Sequence, residues 1–234
     1  MRRAAIPGPS DVEPVLLRSA DPPVPEIDAL IAAYIDPAEI GSVDALLIPA
    51  TARALRMWRR LRLEIGETAV VTDGGGFADA VGLIAAWHGA VPVVRLTNAE
   101  SRDVETVSMS DAQTAVDRLR AITSAAPGVA AVDLSGRGSA IAILLEALPR
   151  WGRLMLAGPA AEPFTTAFYT DIHRKGTLVC CSDDPESIFA EPSKWRLELR
   201  NACRLLRDPK RAVKLRACLD SRAAMAPADS QAKD

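Results

Sequence analysis

Histidine and cysteine are scarce in this sequence, and they are poorly placed for metal chemistry. Among 234 residues there are two histidines, His88 and His173, and four cysteines, Cys180, Cys181, Cys203 and Cys218. No Cys-x-x-Cys pair occurs, no cysteine is spaced with a histidine as a ligand pair, and neither residue type occurs before Thr68. A structural zinc site built from thiolates and imidazoles is therefore not expected. The cysteines read as reduced, buried thiols. Aromatic residues are few as well, with four phenylalanines and two tyrosines, so aliphatic side chains and alanine must build the core.

Other absences narrow the classes further. No run approaches the roughly 18 apolar residues that a membrane-spanning helix needs. The start, Met1-Arg2-Arg3-Ala4-Ala5-Ile6-Pro7, carries no apolar stretch of signal length, so a cytoplasmic protein is expected, with no membrane partner. Lys and Arg number 28 against 30 Asp and Glu, a formal charge of −2, which argues against nucleic acid as a partner. No Gly-x-Ser-x-Gly is present, which removes one common serine-hydrolase arrangement.

The chain does contain one organising stretch, Thr68 to Thr97. A β-rich run, Thr68 to Thr72, meets Gly74, Gly75 and Gly76. An apolar helical pattern follows (Phe77, Val81, Ile84, Trp87), and then a second strand, Val91 to Leu96. In a strand–turn–helix–strand unit, glycines let the backbone approach a pyrophosphate, and the first amides of the helix point at it. Read from Gly74 and Gly76, a Gly-x-Gly-x-x-Gly pattern puts Asp79 at its third position. Counting back from the helix end at Gly89-Ala90 gives the register Asp73 to Ala78 instead, with Gly75 in the middle and Ala78 third. Asp73 then replaces the first glycine, and Thr97 replaces the acidic residue expected to hold a ribose hydroxyl. The same glycines would also serve a tight strand-to-helix turn with no ligand.

The rest of the chain alternates strands and helices. Residues 1–42, rich in proline, read as an extended arm with an edge strand at Val15 to Arg18 and a short helix over 28–36. A helix is expected from Pro49 to Leu63, its arginines (Arg53, Arg56, Arg59, Arg60, Arg62) forming a solvated face. Asp103 to Val107 reads as a third strand. Ser110-Asp111 caps a helix running to Ser124, and Val129 to Leu134 is an apolar strand. Ser139 caps a helix over Ala140 to Leu148; Arg153 to Ala157 and Thr177 to Cys181 complete the strands. Strands at this rhythm predict an α/β protein, a Rossmann-like doubly wound parallel sheet over residues 43–190. Residues 191–223 read as C-terminal helices, with Trp195, Leu199, Ala202, Cys203 and Leu206 on one stripe. Residues 224–234 are expected to be a disordered tail.

Several ordered segments carry a family resemblance. Ala45-Leu-Leu-Ile-Pro-Ala-Thr-Ala52, Ile65-Gly-Glu-Thr68 before Val70-Val71, Ala131-Val-Asp-Leu-Ser-Gly136, Arg150-Trp-Gly-Arg-Leu-Met-Leu-Ala-Gly158 and Phe168-Tyr-Thr-Asp-Ile-His-Arg-Lys-Gly176 resemble the medium-chain dehydrogenase/reductase family. The likeness covers about Val43 to Ser182, and the opening, Met1 to Pro25, is also similar to that of such enzymes. The β-rich domain that carries zinc in the family has no counterpart here, since some twenty residues at most separate the arm from the cofactor domain. The resemblance therefore implies a dehydrogenase reduced to its Rossmann half, without zinc, using NAD or NADP on a small-molecule substrate.

Carried across residue by residue, the resemblance makes Gly74, Gly75, Gly76, Phe77 and Ala78 the phosphate loop. It puts Thr97 and Asn98 at the adenosine ribose, Arg102 beside the adenine, Ser135 and Gly136 along the groove, and Gly158 and Pro159 near the nicotinamide. The short-chain reductases need a lysine four residues after a tyrosine; Ala38 and His173 follow Tyr34 and Tyr169 there. Tyr169 and His173 remain as candidate proton donors or surface packing partners. The resemblance also implies a homodimer through Thr177 to Cys181, an apolar edge without lysine, proline or bulge residues. Two functions stay open: a zinc-independent reductase, and a non-catalytic or regulatory partner that keeps the fold.

Overall fold

A computed structural model describes residues 46–98, 105–158, 164–184 and 187–220. The arm, its expected strand and short helix, Asp103, Arg102, Pro159 and the tail lie outside these residues. The first described helix, α1 (Leu47–Leu61), buries Ile48, Ala52, Leu55, Trp58 and Leu61 on one face. It ends where Arg62 turns left-handed at φ 51°, so that the Arg62 and Leu63 amides bond back to Arg59 and Trp58. The helix begins and ends two residues before the expected bounds. Of its five arginines, Arg59, Arg60 and Arg62 are exposed, but Arg53 and Arg56 are half-buried and leave the solvated face.

The strands are β1 (Thr68–Thr72), β2 (Val93–Leu96), β3 (Glu105–Val107), β4 (Val129–Asp133), β5 (Arg153–Leu156) and β6 (Leu178–Cys181). They form one parallel sheet in the order β3-β2-β1-β4-β5-β6. β2 starts two residues later than expected, after Pro92, which has no N–H to give to a ladder. Alternation along β1 sends Ala69 and Val71 to one face and Val70 to the other.

Six further α-helices follow among the described residues: α2 (Gly75–Trp87), α3 (Ala112–Thr123), α4 (Gly138–Ala147), the one-turn α5 (Ser187–Ala190), then α6 (Arg196–Leu206) and α7 (Pro209–Asp220). The core of one face joins α1, α2, α6 and α7 to Ala69, Val71, Ala130, Val132 and Met155; that of the other joins α3 and α4 to Val70, Val94, Ala131 and Leu154. The expected stripe of Trp195, Leu199, Ala202, Cys203 and Leu206 is buried. Asp111 caps α3 by accepting from the Thr114 N–H at 2.7 Å. Ser139 does not cap α4. The helix starts two residues before the expected Ala140, with Arg137 at the N-cap and no side-chain cap; Ser135 Oγ accepts the Arg137 N–H at 3.2 Å.

This is the doubly wound α/β architecture that the strand–helix rhythm predicts. The chain builds outward from β1 to β3, then returns to build β4 to β6 on the other side. A crevice therefore opens between the carboxyl ends of β1 and β4, the place where open α/β sheets take ligands. Among the described residues, no helix is long and apolar enough to cross a membrane.

Candidate functional site

The glycine turn sits at that crevice. Gly74 is the residue before α2, and α2 starts at Gly75, inside the glycine run. Gly75 is exposed and has φ 61°, a conformation that any other L residue adopts only with strain. The amides of this first turn are not idle. Asp73 Oδ1 accepts from the Gly74 N–H at 2.9 Å and reaches the Gly75 N–H at 3.5 Å. A carboxylate of the chain thus lies where the helix end would attract an anion.

Behind the loop stands Arg95 of β2, buried and ion-paired with Asp79, with Asp73 3.9 Å from its guanidinium. Burial pushes the Asp79 carboxyl above the ordinary range, Arg95 pulls it back, and Asp73 adds repulsion. Two carboxylates thus face one guanidinium at the start of α2.

The opposite wall is fixed by Asp133, which is fully buried. Its Oδ1 accepts from Thr72 Oγ1 at 2.8 Å and from Ser135 Oγ at 2.7 Å, and its Oδ2 accepts from the Gly136 N–H at 3.1 Å. Thr72 Oγ1 in turn accepts the Leu134 N–H at 2.8 Å. The Asp133 carbonyl takes the Ala157 and Gly158 amides. One residue therefore ties the ends of β1, β4 and β5 together: its carboxylate holds Thr72 and the turn after β4, and its backbone carbonyl holds the residues after β5.

The glycines of the site are packed by the protein itself. A Cβ on Gly74 would lie 2.8 Å from Leu134 Cβ, and one on Gly158 would lie 2.4 Å from the Gly136 N. A Cβ on Gly76 would meet the Cys218 carbonyl of α7 at 2.1 Å. Phe77 lies beneath the Arg53 guanidinium, 4.8 Å from its ring centre, and Ala78 is buried. Ser135 is half-buried and Gly136 buried in the β4 turn. Thr97 is buried at the end of β2, and Asn98 Oδ1 accepts the Met109 N–H at 3.0 Å.

The structure thus brings Gly74, Gly75, Ser135, Gly136 and Gly158 together at the crevice. Tyr169 and His173 lie elsewhere. They stack on each other, with centroids 5.5 Å apart, in a π-helical turn (Phe168–His173). That turn runs into β6 at its starting end, where the Thr177 N–H bonds to Ile172, so the pair faces the edge of the sheet opposite the crevice. The cysteines also differ from expectation: Cys203 is buried, Cys180 and Cys218 are half-buried and Cys181 is exposed.

Sequence reading had missed Asp133, Arg95 and Arg53. An Asp-x-Ser-Gly run at the end of an apolar strand is a turn signal that could have found the first. The partners of the arginines lie 16 or more residues away, and only the fold brings them near.

Comparison with known proteins agrees with this geometry. No protein-family model matches the sequence, and no curated protein is significantly similar to it. Solved structures are similar in fold. Galactitol-1-phosphate dehydrogenase from Escherichia coli matches 79% of this chain at 17% identity and TM-score 0.60, and 58% of that chain is covered. The alcohol dehydrogenase TADH from Thermus sp. ATN1 gives 14% identity, 78% and 55% coverage and TM-score 0.60. An alcohol dehydrogenase from Thermotoga maritima gives 16%, 76%, 54% and 0.57. The chain spans little more than half the length of these proteins. The class that fold and crevice define is a Rossmann-like α/β protein. Its structural neighbours are dehydrogenases of the alcohol dehydrogenase type.

Proposed function

We propose that this chain is an oxidoreductase of dehydrogenase type that binds NAD or NADP at the β1–β4 crevice, acts on a small molecule and uses no zinc. The observation that carries the reading is the coincidence of the glycine turn, the α2 amino end and the Ser135–Gly136 turn at the point where the strand order reverses. The likeness to alcohol dehydrogenases supports it. Gly75 and the neighbouring amides would meet the pyrophosphate, with Asp73 turned away from them. Thr97 and Asn98, at the end of β2, would face the adenosine ribose. The nicotinamide would supply or accept the hydride, and this chain's part is to hold it between the β4 and β5 turns. Tyr169 and His173, in the turn that leads into the start of β6, are not assigned as its proton donors.

A second reading, a non-catalytic or regulatory partner, is favoured by the Asp73 hydrogen bonds to the loop amides. Titration with NADH and NADPH, followed by the fluorescence of Trp87 and the other three tryptophans, separates the two. Saturable quenching is expected from the first reading. Its absence in both wild type and Asp73→Gly would leave the second.

Two further expectations belong to the proposal. Metal analysis of chelator-washed protein should find no stoichiometric zinc, because neither histidine nor cysteine precedes Thr68; zinc at one ion per chain would overturn this. A homodimer should form through β6, the outermost strand, which pairs with β5 on one side only and whose Leu178 is 50% exposed. Val179 packs on the core, so Leu178→Lys is the cleaner probe. Light scattering should give a dimer for the wild type and a monomer for Leu178→Lys; a wild-type monomer would refute the pairing.

A further inference from the structure

Beneath the solvent face of α1 lies a shallow cleft, open to solvent and lined by Arg53, Arg56, Arg60, Met155, Ser182, Asp183 and Trp195, among others. Its charges are unevenly answered. Asp183 Oδ2 accepts from Arg56 Nε at 2.6 Å and from Arg60 at 2.8 Å. Arg56 also donates to the Lys194 carbonyl at 2.7 Å, lies 4.3 Å above the Trp195 ring and stands 3.6 Å from Glu198. Burial would raise the Asp183 carboxyl, but the hydrogen bonds from Arg56 and Arg60 outweigh it and hold it low.

Arg53 has no such partner. Its guanidinium lies over Phe77, and among the described residues it makes no hydrogen bond or ion pair. Burial brings its pKa down to about 10, and Asp184 opposes this only in part. The Ser182 hydroxyl, beside it in the lining, is likewise unused among the described residues; its amide bonds to Leu156 at 2.9 Å. Three guanidiniums line the cleft; Asp183 pairs with two of them and Glu198 adds to Arg56, while Asp184 acts on Arg53 only at longer range, which leaves the Arg53 fork open. A half-buried guanidinium without an acceptor keeps its donors open at the cleft, and its planar fork fits the paired oxygens of phosphate or carboxylate.

We infer that this cleft is a binding site for a small oxyanion, either phosphate or a small molecule carrying a phosphate or carboxylate group, held by Arg53 and Ser182. The inference needs no dinucleotide at the crevice, and its test uses none.

Calorimetric titration with inorganic phosphate and with malonate, at matched ionic strength in chloride, tests it. The wild type should bind at least one of the two, and the preferred anion identifies the group. Arg53→Met should weaken binding by on the order of tenfold or more. Arg53→Lys should retain part of it, because it keeps the charge and loses the fork. The exposed Arg118→Met should match the wild type. Without anion, Arg53→Met should melt no lower than the wild type, since it removes an unanswered charge. Flat wild-type titrations with both anions, or wild-type affinity in Arg53→Met, would overturn the site. Should Arg53→Met fail to fold, Arg53→Lys and Ser182→Ala decide, and wild-type affinity in both would reject it.

Discussion

Asp73→Gly is expected to tighten the binding of NADH or NADPH by about tenfold or more. In the wild type a pyrophosphate must displace the Asp73 carboxylate from the Gly74 N–H and then lie beside it. Like charges about 4 Å apart oppose each other by about 4 kcal/mol at an effective dielectric of 20. Asp73 is 38% exposed, so solvent screening reduces this figure, and a tenfold change is its conservative remainder. Arg95 does not cancel the effect, because it is already paired with Asp79. The substitution also removes a cap-like hydrogen bond, and glycine in such a position costs only a few tenths of a kcal/mol. The melting temperature should therefore fall little while affinity rises. Fluorescence titration of both proteins measures the first effect and a thermal melt the second. Unchanged or weaker binding in Asp73→Gly would mean that the carboxylate does not stand beside the pyrophosphate.

Gly76→Ala is expected to destabilise the protein by about 1–3 kcal/mol and to loosen α7. The new Cβ would lie 2.1 Å from the Cys218 carbonyl oxygen and 3.3 Å from the Leu219 Cα, both backbone atoms of α7, so a whole helix must move. Alanine's better helix propensity, about 1 kcal/mol, works in the other direction. The collision outweighs it, because undocking α7 exposes Leu215, which is 1% exposed now, and burial of one leucine is worth about 1.5–3 kcal/mol. Gly82→Ala, in the same helix, is the control: its Cβ would meet Val93 at 3.4 Å, an ordinary contact, and stability should hold or rise. Chemical denaturation gives the energies, and limited proteolysis after Leu206 reports the release of α7. Equal stability of the two variants would show that α7 does not pack on Gly76 in solution.

Much of the fold was legible because its signals are local. Thr68 to Thr72 is an unbroken β-rich run before glycines, and it is a strand with those bounds. Asp111 capped its helix because an aspartate oxygen three residues before an amide satisfies it within one turn. The stripe from Trp195 to Leu206 followed helical spacing and was buried against the core. Ser139 misled because the helix starts ahead of it: Arg137 is the N-cap, without a side-chain cap, and its amide is held by Ser135, itself bonded to Asp133. The arginines of α1 misled for a related reason. Helical spacing separates a polar side from an apolar one, but it does not reveal that Asp183, far along the chain, will come to rest beside Arg56 and Arg60.

The alternation of strands and helices, the place of the glycine turn and the stripe that joins α6 to the core were already written in the order of the residues. These depend on side-chain periodicity and turn chemistry within a few residues. Tertiary structure alone decided what the glycines touch. Gly74 packs on Leu134, Gly158 on Gly136 and Gly76 on α7, because a residue without a side chain marks a close approach but does not name the neighbour. It also decided where charge is answered. Asp73 turned to its own loop amides, Arg95 found Asp79, and Arg53 was left over an aromatic ring facing an open cleft. Electrostatic partners are chosen by distance in space, and distance in space is set only when the sheet is assembled.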